Sequence, residues 1–258
     1  MTTPPHTADG TNGAGTATWA GLATGTDEVA WLSRTRVTLT PIAAPSIMGL
    51  FGFMIATLMV GAWQAGWYGG PHTPLVLWPF ALIAGGVFQL IAAIASFRAR
   101  DGVAVAVHSA WGSFWIGWSV LQILVVTHTV AAIPVGASSG AFGFWFIGLT
   151  LVTGSAFLAS AAQSGMVFLT LGTLSAGAAL TAAGFWAGSL GLTEAGGWLF
   201  VISAMAAWLT ATAMMLEGSF GRTIIPLGKW SRAANVPGRQ ITRPLQYPAG
   251  MPGVRVGQ

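Results

Sequence analysis

Three long stretches without a formal charge constrain this chain more than any other feature. No Asp, Glu, Lys or Arg falls between Arg36 and Arg98, from Gly102 to Thr193, or from Ala195 to Leu216. A helix needs about 20 apolar residues to cross a hydrocarbon core about 30 Å thick, so these runs have room for two, three and one spans. Composition points the same way: 54% of the 258 residues are hydrophobic and 6% are charged, against about 25% charged in a soluble domain. Too few polar side chains remain to cover a water-facing surface, which excludes an ordinary soluble enzyme and a solvated nucleic-acid-binding domain. The net charge of +4 does not argue for nucleic acid, because the charges lie almost wholly outside the apolar runs. With no cysteine there is no disulfide framework, thiolate metal site or cysteine nucleophile.

Turn chemistry divides the runs. Gly69, Gly70 and Pro71 split the first into roughly 46–68 and 75–97. The stretch from His128 to Gly140, with Pro134, separates 103–127 from 142–161. Gln163, Ser164 and Gly165 precede 166–188, and the last span is roughly 195–216. The expected fold class is therefore an all-α integral membrane protein with six transmembrane helices. All ten Lys and Arg lie in the N-terminal tail, at Arg98 and Arg100 after span two, or from Arg222 onward. By the positive-inside rule all three regions face the cytoplasm, so both termini are expected there, in a multi-pass protein of the cell's inner (cytoplasmic) membrane. The opposite ends gather aromatics that favour interfacial depth: Trp63, Trp67, Tyr68, Trp78, Trp186 and Trp198.

The expected organisation is a disordered cytoplasmic tail over residues 1–43, a six-helix membrane domain over 44–228, and a flexible basic cytoplasmic tail over 229–258. The N-terminal tail lacks a basic start followed by an apolar core, so no cleavable signal peptide is expected. Arginines of the C-terminal tail either rest on anionic lipid or only fix topology.

Four segments say more than "membrane". In the first, Pro45, Gly49 and Gly52 open span one. Proline suits a first helical turn, small residues admit close helix contacts, and a helix N-terminus suits an anion. It reads as a plain helix start or as part of an anion path. Gly85, Gly86 and Gln89 lie inside span two, where Gln89 needs either a bond to another helix or a place on a substrate path. In span three, His108, Trp111 and Trp115 share one face at spacings of three and four. There His108 is either a neutral partner of a neighbouring helix or the carrier of a coupling proton. Span six runs into Glu217, Arg222 and Pro226. Glu217 reads as a water-exposed charge, and Pro226 blocks helix continuation. Four scattered histidines and no close carboxylate make a metal site unexpected, and no catalytic residue or cofactor is expected.

These pieces, in this order, resemble the acetate uptake transporter family, also called the GPR1/FUN34/YaaH family. Its opening motif is matched by Pro45, Gly49, Leu50, Gly52 and Phe53. Its Gly-Gly-x-x-Gln stretch is matched by Gly85, Gly86 and Gln89, and its aromatic-Gly-Ser-Phe-Trp by Trp111, Gly112, Ser113, Phe114 and Trp115. The Phe-Gly-Arg-Thr motif with its following Pro and Gly is matched across Phe220, Gly221, Arg222, Thr223, Pro226 and Gly228. The likeness spans residues 44–228. It implies a six-helix protomer of a homo-hexamer with a path through each subunit and a hydrophobic constriction, onto which Phe53, Trp111 and Leu174 fall. Some positions depart from the family pattern. Ala44 stands for an Asn, Ile47 for a Pro, Trp111 for the usual tyrosine, Ser96 for a glutamate, and His108 for an aromatic.

The function so implied is a transporter or channel for acetate or a similar small monocarboxylate, coupled to protons. Its partners would be that carboxylate, protons and the bilayer, with no nucleic acid. Pro45, Gly49, Gln89, His108 and Ser113 are the candidate substrate-binding or coupling groups beside the constriction of Phe53, Trp111 and Leu174. The alternatives are a diverged pore for another small solute (ammonia, CO2 or a short amide) and a non-transporting membrane assembly subunit. An enzyme is not expected, since acid–base or metal chemistry needs paired groups and the spans offer one histidine and no carboxylate.

Overall fold

A computed structural model describes residues 43–99, 101–130 and 135–229. The two expected tails lie outside the described residues, apart from residues 43 and 229. So do Arg34, Arg36, Arg100 and Pro134, on which part of the topology and turn reading rests.

Among the described residues, six helices are long and apolar enough to cross a membrane. They are α1 (Pro45–Gln64), α2 (Pro74–Ala99), α3 (Gly102–Val126), α4 (Val135–Ser160), α5 (Gly165–Ala187) and α6 (Leu190–Phe220). Caps explain several of the boundaries. Asp101, Ser164 and Ser189 accept from the backbone N–H groups of Ala104, Val167 and Leu192, satisfying donors that a helix start leaves orphaned. Gly188 and Gly221 end α5 and α6 at positive φ of 61° and 63°, where a residue with a β-carbon is strained.

Two helices outrun their sequence-based bounds. α4 begins at Val135 rather than 142, so the small polar residues before Gly140 are helical. An unpaired backbone amide or carbonyl costs several kcal/mol in hydrocarbon, and that outweighs the weak helix propensity of Gly and Ser. α6 has 31 residues and spans about 46 Å, more than the bilayer core. Glu194 and Glu217 lie 23 residues apart on it, about 34 Å, slightly more than the thickness of a hydrocarbon core. Its end is set by Gly221 and not by Pro226, which lies five residues further on.

α2 carries a departure that its sequence does not announce. Pro74–Phe80 is α-helical, Ala81–Phe88 is π-helical, and Gln89–Ala99 is α-helical again. Pro79 lies inside the first part and has no N–H to give to the preceding turn. The wider π turns shift the facing of the residues beyond them, and Gln89 and Ser96 are fully buried.

Successive helices run antiparallel. Gln89 of α2 meets His108 of α3, Trp111 of α3 meets Thr153 of α4, Ser175 of α5 meets Thr150 of α4, and Ser203 of α6 bonds Thr170 of α5. The ring closes through Gln64 of α1, which bonds Thr181 of α5 and Thr193 of α6. Small residues set the close contacts. Ala204, Ala207 and Ala211 of α6 have no exposed surface, as expected where packing rather than the hydrophobic effect joins helices. The outer surface carries large apolar side chains instead, among them Ile94, Phe97, Phe144, Leu151 and Leu158.

After α6 the chain folds back across the start of α5. Gly165 and Met166 donate their N–H groups to the carbonyls of Gly228 and Leu227 at 3.0 and 3.1 Å, and Thr223 and Leu227 are buried. Glu217 is not the water-exposed charge its position at a helix end suggests. Lys229 returns to it at 3.1 Å, because the strap brings residue 229 back to the end of α6.

Candidate permeation site

α1, α3 and α5 start from the same face of the bundle, so residues at equal distances from their starts share a depth. Phe53, Trp111 and Leu174 lie eight, nine and nine residues beyond those starts, about 12–14 Å into the bundle. All three are at most 2% exposed and belong to one apolar cluster. Phe53 meets Trp111 edge-on, with ring centroids 6.3 Å apart and planes at 77°. Phe200 of α6 closes on the same indole at 5.9 Å and 80°, and Phe114 at 5.5 Å. Edge-to-face pairs are worth roughly 0.5–1.5 kcal/mol each beyond their burial, so the rings hold one another. Trp111 is further tied by its N–H, which donates to the Thr153 hydroxyl at 2.9 Å.

One turn nearer the Pro45 end lies a polar layer. His108 Nδ1 and Gln89 Oε1 are 3.2 Å apart, and both residues are buried. The imidazole lies directly against Gly49: a β-carbon there would collide with His108 Nε2. Gly49, Gln89 and His108, three of the sequence-based candidates, therefore meet in one place. Their bond is the interhelical contact expected of each alone, yet Gln89 Nε2 remains buried with no partner among the described residues. His108 is the only titratable side chain in the bundle interior among the described residues.

Two candidates lie apart. Pro45 forms the first turn of α1, where Ala44 supplies no side-chain cap. It stands eight residues before Phe53, about 12 Å along the axis. Ser113 is exposed on the outside of α3 and donates to the Ala110 carbonyl at 2.8 Å. The face that buries Trp111 and Trp115 turns residue 113 outward, so it offers nothing to a path through this protomer. No group of three metal-ligating side chains occurs among the described residues.

On the Gln64 side of the rings is a small cavity with room for about one water molecule. Thr57 and Gln64 border it from α1, Trp111 and Trp115 from α3, and Phe146 and Phe200 from α4 and α6. Beyond it the Gln64 amide donates to Thr181 Oγ1 at 2.8 Å and to the Thr193 carbonyl at 2.7 Å, tying α1, α5 and α6 together. Sequence reading missed Thr57, Gln64, Thr153 and Phe200. Thr57 carried a usable signal, lying four residues beyond Phe53, one turn along the same face. Phe200 and Thr153 sit in stretches without any sharp motif.

Six apolar helices with polar, aromatic and polar layers stacked along the bundle are the frame of a multi-pass membrane protein. The model of the GPR1/FUN34/yaaH family matches residues 32–227, and the chain belongs to that family. It is 26% identical over 192 residues to the succinate-acetate/proton symporter SatP of Escherichia coli K12, covering 74% of this chain and 97% of that protein. It is 28% identical over 172 residues to the ammonia transport outward protein 2 of Saccharomyces cerevisiae, covering 66% and 61%. Among solved structures, the bacterial acetate channel SatP superposes with a TM-score of 0.66 at 21% identity, covering 73% of this chain and all of that one.

Proposed function

We propose that the protein is a proton-coupled transporter or channel for acetate or a similar small monocarboxylate. On this reading it lies in the cytoplasmic membrane with both termini inside, as the protomer of a homo-hexamer. The symporter and channel relatives support the cargo, the placement of Arg98, Arg100 and the C-terminal basic residues supports the orientation, and the hexamer rests on the family resemblance.

The observation that carries the reading is the buried cluster of Phe53, Trp111, Leu174 and Phe200, set in α1, α3, α5 and α6, helices that contain no Lys or Arg. An anion crossing it meets no countercharge. Removing an ion from water costs several kcal/mol even after relaxation, and up to about 20 in the idealised limit. Carrying an ordinary carboxyl group, with a pKa near 4.3, in its neutral form at pH 7 costs only about 4 kcal/mol. The proton and the carboxylate therefore cross the rings together. His108, one turn before the rings, is the side chain through which the carboxylate takes up that proton, and Gln89 holds its imidazole. The ring excludes water and acts as the gate.

The test is uptake of labelled acetate into proteoliposomes at pH 6 and pH 7.5, with and without an inward proton gradient. Faster uptake than in protein-free vesicles, accelerated by the gradient, is the expected result. Rates equal to those of empty vesicles at both pH values sink the reading. The yeast ammonia-transport relative favours one second reading, a pore for a neutral small solute. Shrink–swell measurements with ammonia on the same vesicles would register that flux instead.

A further inference from the structure

The short connection between α2 and α3 sets the two helices in a register that their polar residues share. Asp101 donates its N–H to the Ser96 carbonyl at 3.1 Å, and seven residues away along each helix Gln89 meets His108 at 3.2 Å. Seven residues are about two turns, or about 10 Å, and return each chain to the same helix face. Two polar layers therefore lie on one seam, one around the buried imidazole and one at the helix ends. Between them stand Ala92, Ala93 and Ala104, all buried, so close-packed small side chains fill the seam.

The carboxylate at the end of the seam is fixed in place. Asp101 Oδ1 accepts from the Ala104 N–H at 3.0 Å, which holds the side chain over the start of α3. The His108 side chain leans toward that same end, because the Cα–Cβ bonds of a helix tilt toward its N-terminus. Other charges are turned away or already matched. α1, α4 and α5 contain no titratable residue, and Arg98 of α2 is exposed. Arg100 lies outside the described residues. On α6, Glu194 is at the opposite end of the bundle and Glu217 is held by Lys229 at 3.1 Å. An imidazole that takes up a proton in this interior becomes a buried cation, which is costly without a partner. The partial positive charge of a bare α3 N-terminus would add to that cost, and Asp101 reverses the sign of that end. At about 10 Å and an effective dielectric constant of about 20, opposite unit charges attract enough to shift an equilibrium about tenfold. A packed seam screens that attraction less than salt water does.

We infer that Asp101 is the counter-charge of protonated His108, a positioning residue that lets the ring hold the coupling proton near neutral pH. The inference rests on the reading of His108 as the proton carrier and adds the group that makes its charged form accessible. The proton is bound on the ring nitrogen that does not face Gln89. There an N–H bond forms when the imidazole takes the proton up, and it breaks when the proton passes to a carboxylate oxygen as an O–H. Asp101 stays ionised in both states and acts only through its field, so the carrier alternates between a neutral pair and a lone carboxylate.

The experiment measures labelled acetate uptake in proteoliposomes between about pH 5 and pH 7.5, with melting temperatures alongside. It compares the wild type, Asp101→Asn, Asp101→Glu, His108→Gln and the double variant Asp101→Asn/His108→Gln. Asparagine caps a helix as well as aspartate does but carries no charge, whereas glutamate keeps the charge and is not a favoured cap. Asp101→Asn is expected to keep the wild-type melting temperature and to lose uptake progressively as pH rises, about tenfold at the upper end and little at the lower. Asp101→Glu should do the reverse, melting earlier while keeping the wild-type pH profile. In the His108→Gln background, Asp101→Asn should cause no further loss. An Asp101→Asn profile identical to wild type, with His108→Gln altered, overturns the counter-charge and leaves the proton-carrier reading standing. Equal losses from Asp101→Asn with and without His108 also overturn it, since the carboxylate would then act elsewhere. Identical profiles for His108→Gln and the wild type overturn both.

Discussion

The Trp111 indole N–H donates to the Thr153 hydroxyl at 2.9 Å, and this bond joins the buried aromatic cluster to α4. The indole it fixes touches Phe53, Phe114 and Phe200, so it is positioned by one polar contact and three aromatic ones. On the proposed function, opening the path means moving that indole, and the Thr153 bond would then be part of the barrier to opening.

Thr153→Val removes the acceptor and keeps the volume. The stranded N–H costs about 1–3 kcal/mol in the closed state, which lowers the difference between closed and open forms. Acetate uptake is expected to rise severalfold while melting temperature falls by a few degrees. Unchanged uptake with reduced stability would assign the bond to folding alone.

Truncating the proposed constriction is expected to act more strongly. Trp111→Ala and Leu174→Ala each leave a cavity in a fully buried cluster, costing about 3–5 and 2–5 kcal/mol in core truncations of these kinds. Each also admits water. The expected outcome is loss of the dry barrier: vesicles become leaky to hydrated ions, read as dissipation of a proton gradient, and acetate flux loses its saturation. Phe200→Ala, a position with no sequence motif, should behave in the same way. A tight membrane in all three variants would place the gate elsewhere.

On the proposed function, the pH dependence follows from the proton that accompanies the cargo. Above its pKa, the neutral fraction of a carboxylic acid falls tenfold per pH unit. A path that accepts only preformed neutral acid would lose flux at that slope. If His108 delivers the proton, wild-type flux declines less steeply between pH 6 and pH 7.5. His108→Gln keeps a polar partner for Gln89 but cannot carry a proton, so its flux should fall with the full tenfold slope and match the wild type near pH 5. Identical profiles for the two proteins would leave His108 a purely structural partner of Gln89. Asp101, the N-cap of α3, remains in place in both.

Much of this was legible from where charge is missing. Runs bounded by Arg36, Arg98, Thr193 and Leu216 give six spans because a bilayer core tolerates few charges, and the described residues contain six helices of that length and character. The Gly-Gly-x-x-Gln and Trp-Gly-Ser-Phe-Trp motifs led to Gln89, Trp111 and Trp115, since sequence spacing on a helix fixes which residues share a face. What could not be read is whatever depends on two helices meeting. Ser113 stands in a motif yet faces outward. Phe200 and Thr153 stand in none, yet one packs on Trp111 and the other accepts its N–H, because they arrive from helices whose register is set by small-residue packing. The π-helical turns of α2 also escaped, since Pro79 announces a lost hydrogen bond but not how the helix absorbs it.

The last prediction concerns Gly49, against which the His108 imidazole lies so closely that a β-carbon cannot be added without movement. Gly49→Ala forces the ring from its place beside Gln89, an overpacking that typically costs 1–3 kcal/mol. Proton-coupled uptake should fall with it, since the displaced imidazole no longer stands one turn before Trp111. His108→Ala alone also reduces uptake at neutral pH, but it frees the space that the new methyl needs. The double variant Gly49→Ala/His108→Ala should therefore be more stable than the two single losses summed, with a coupling of about 0.5–3 kcal/mol as found for residues in contact. Thermal unfolding of the four proteins in one detergent measures it. Strict additivity would mean that the two residues do not share the packing described here.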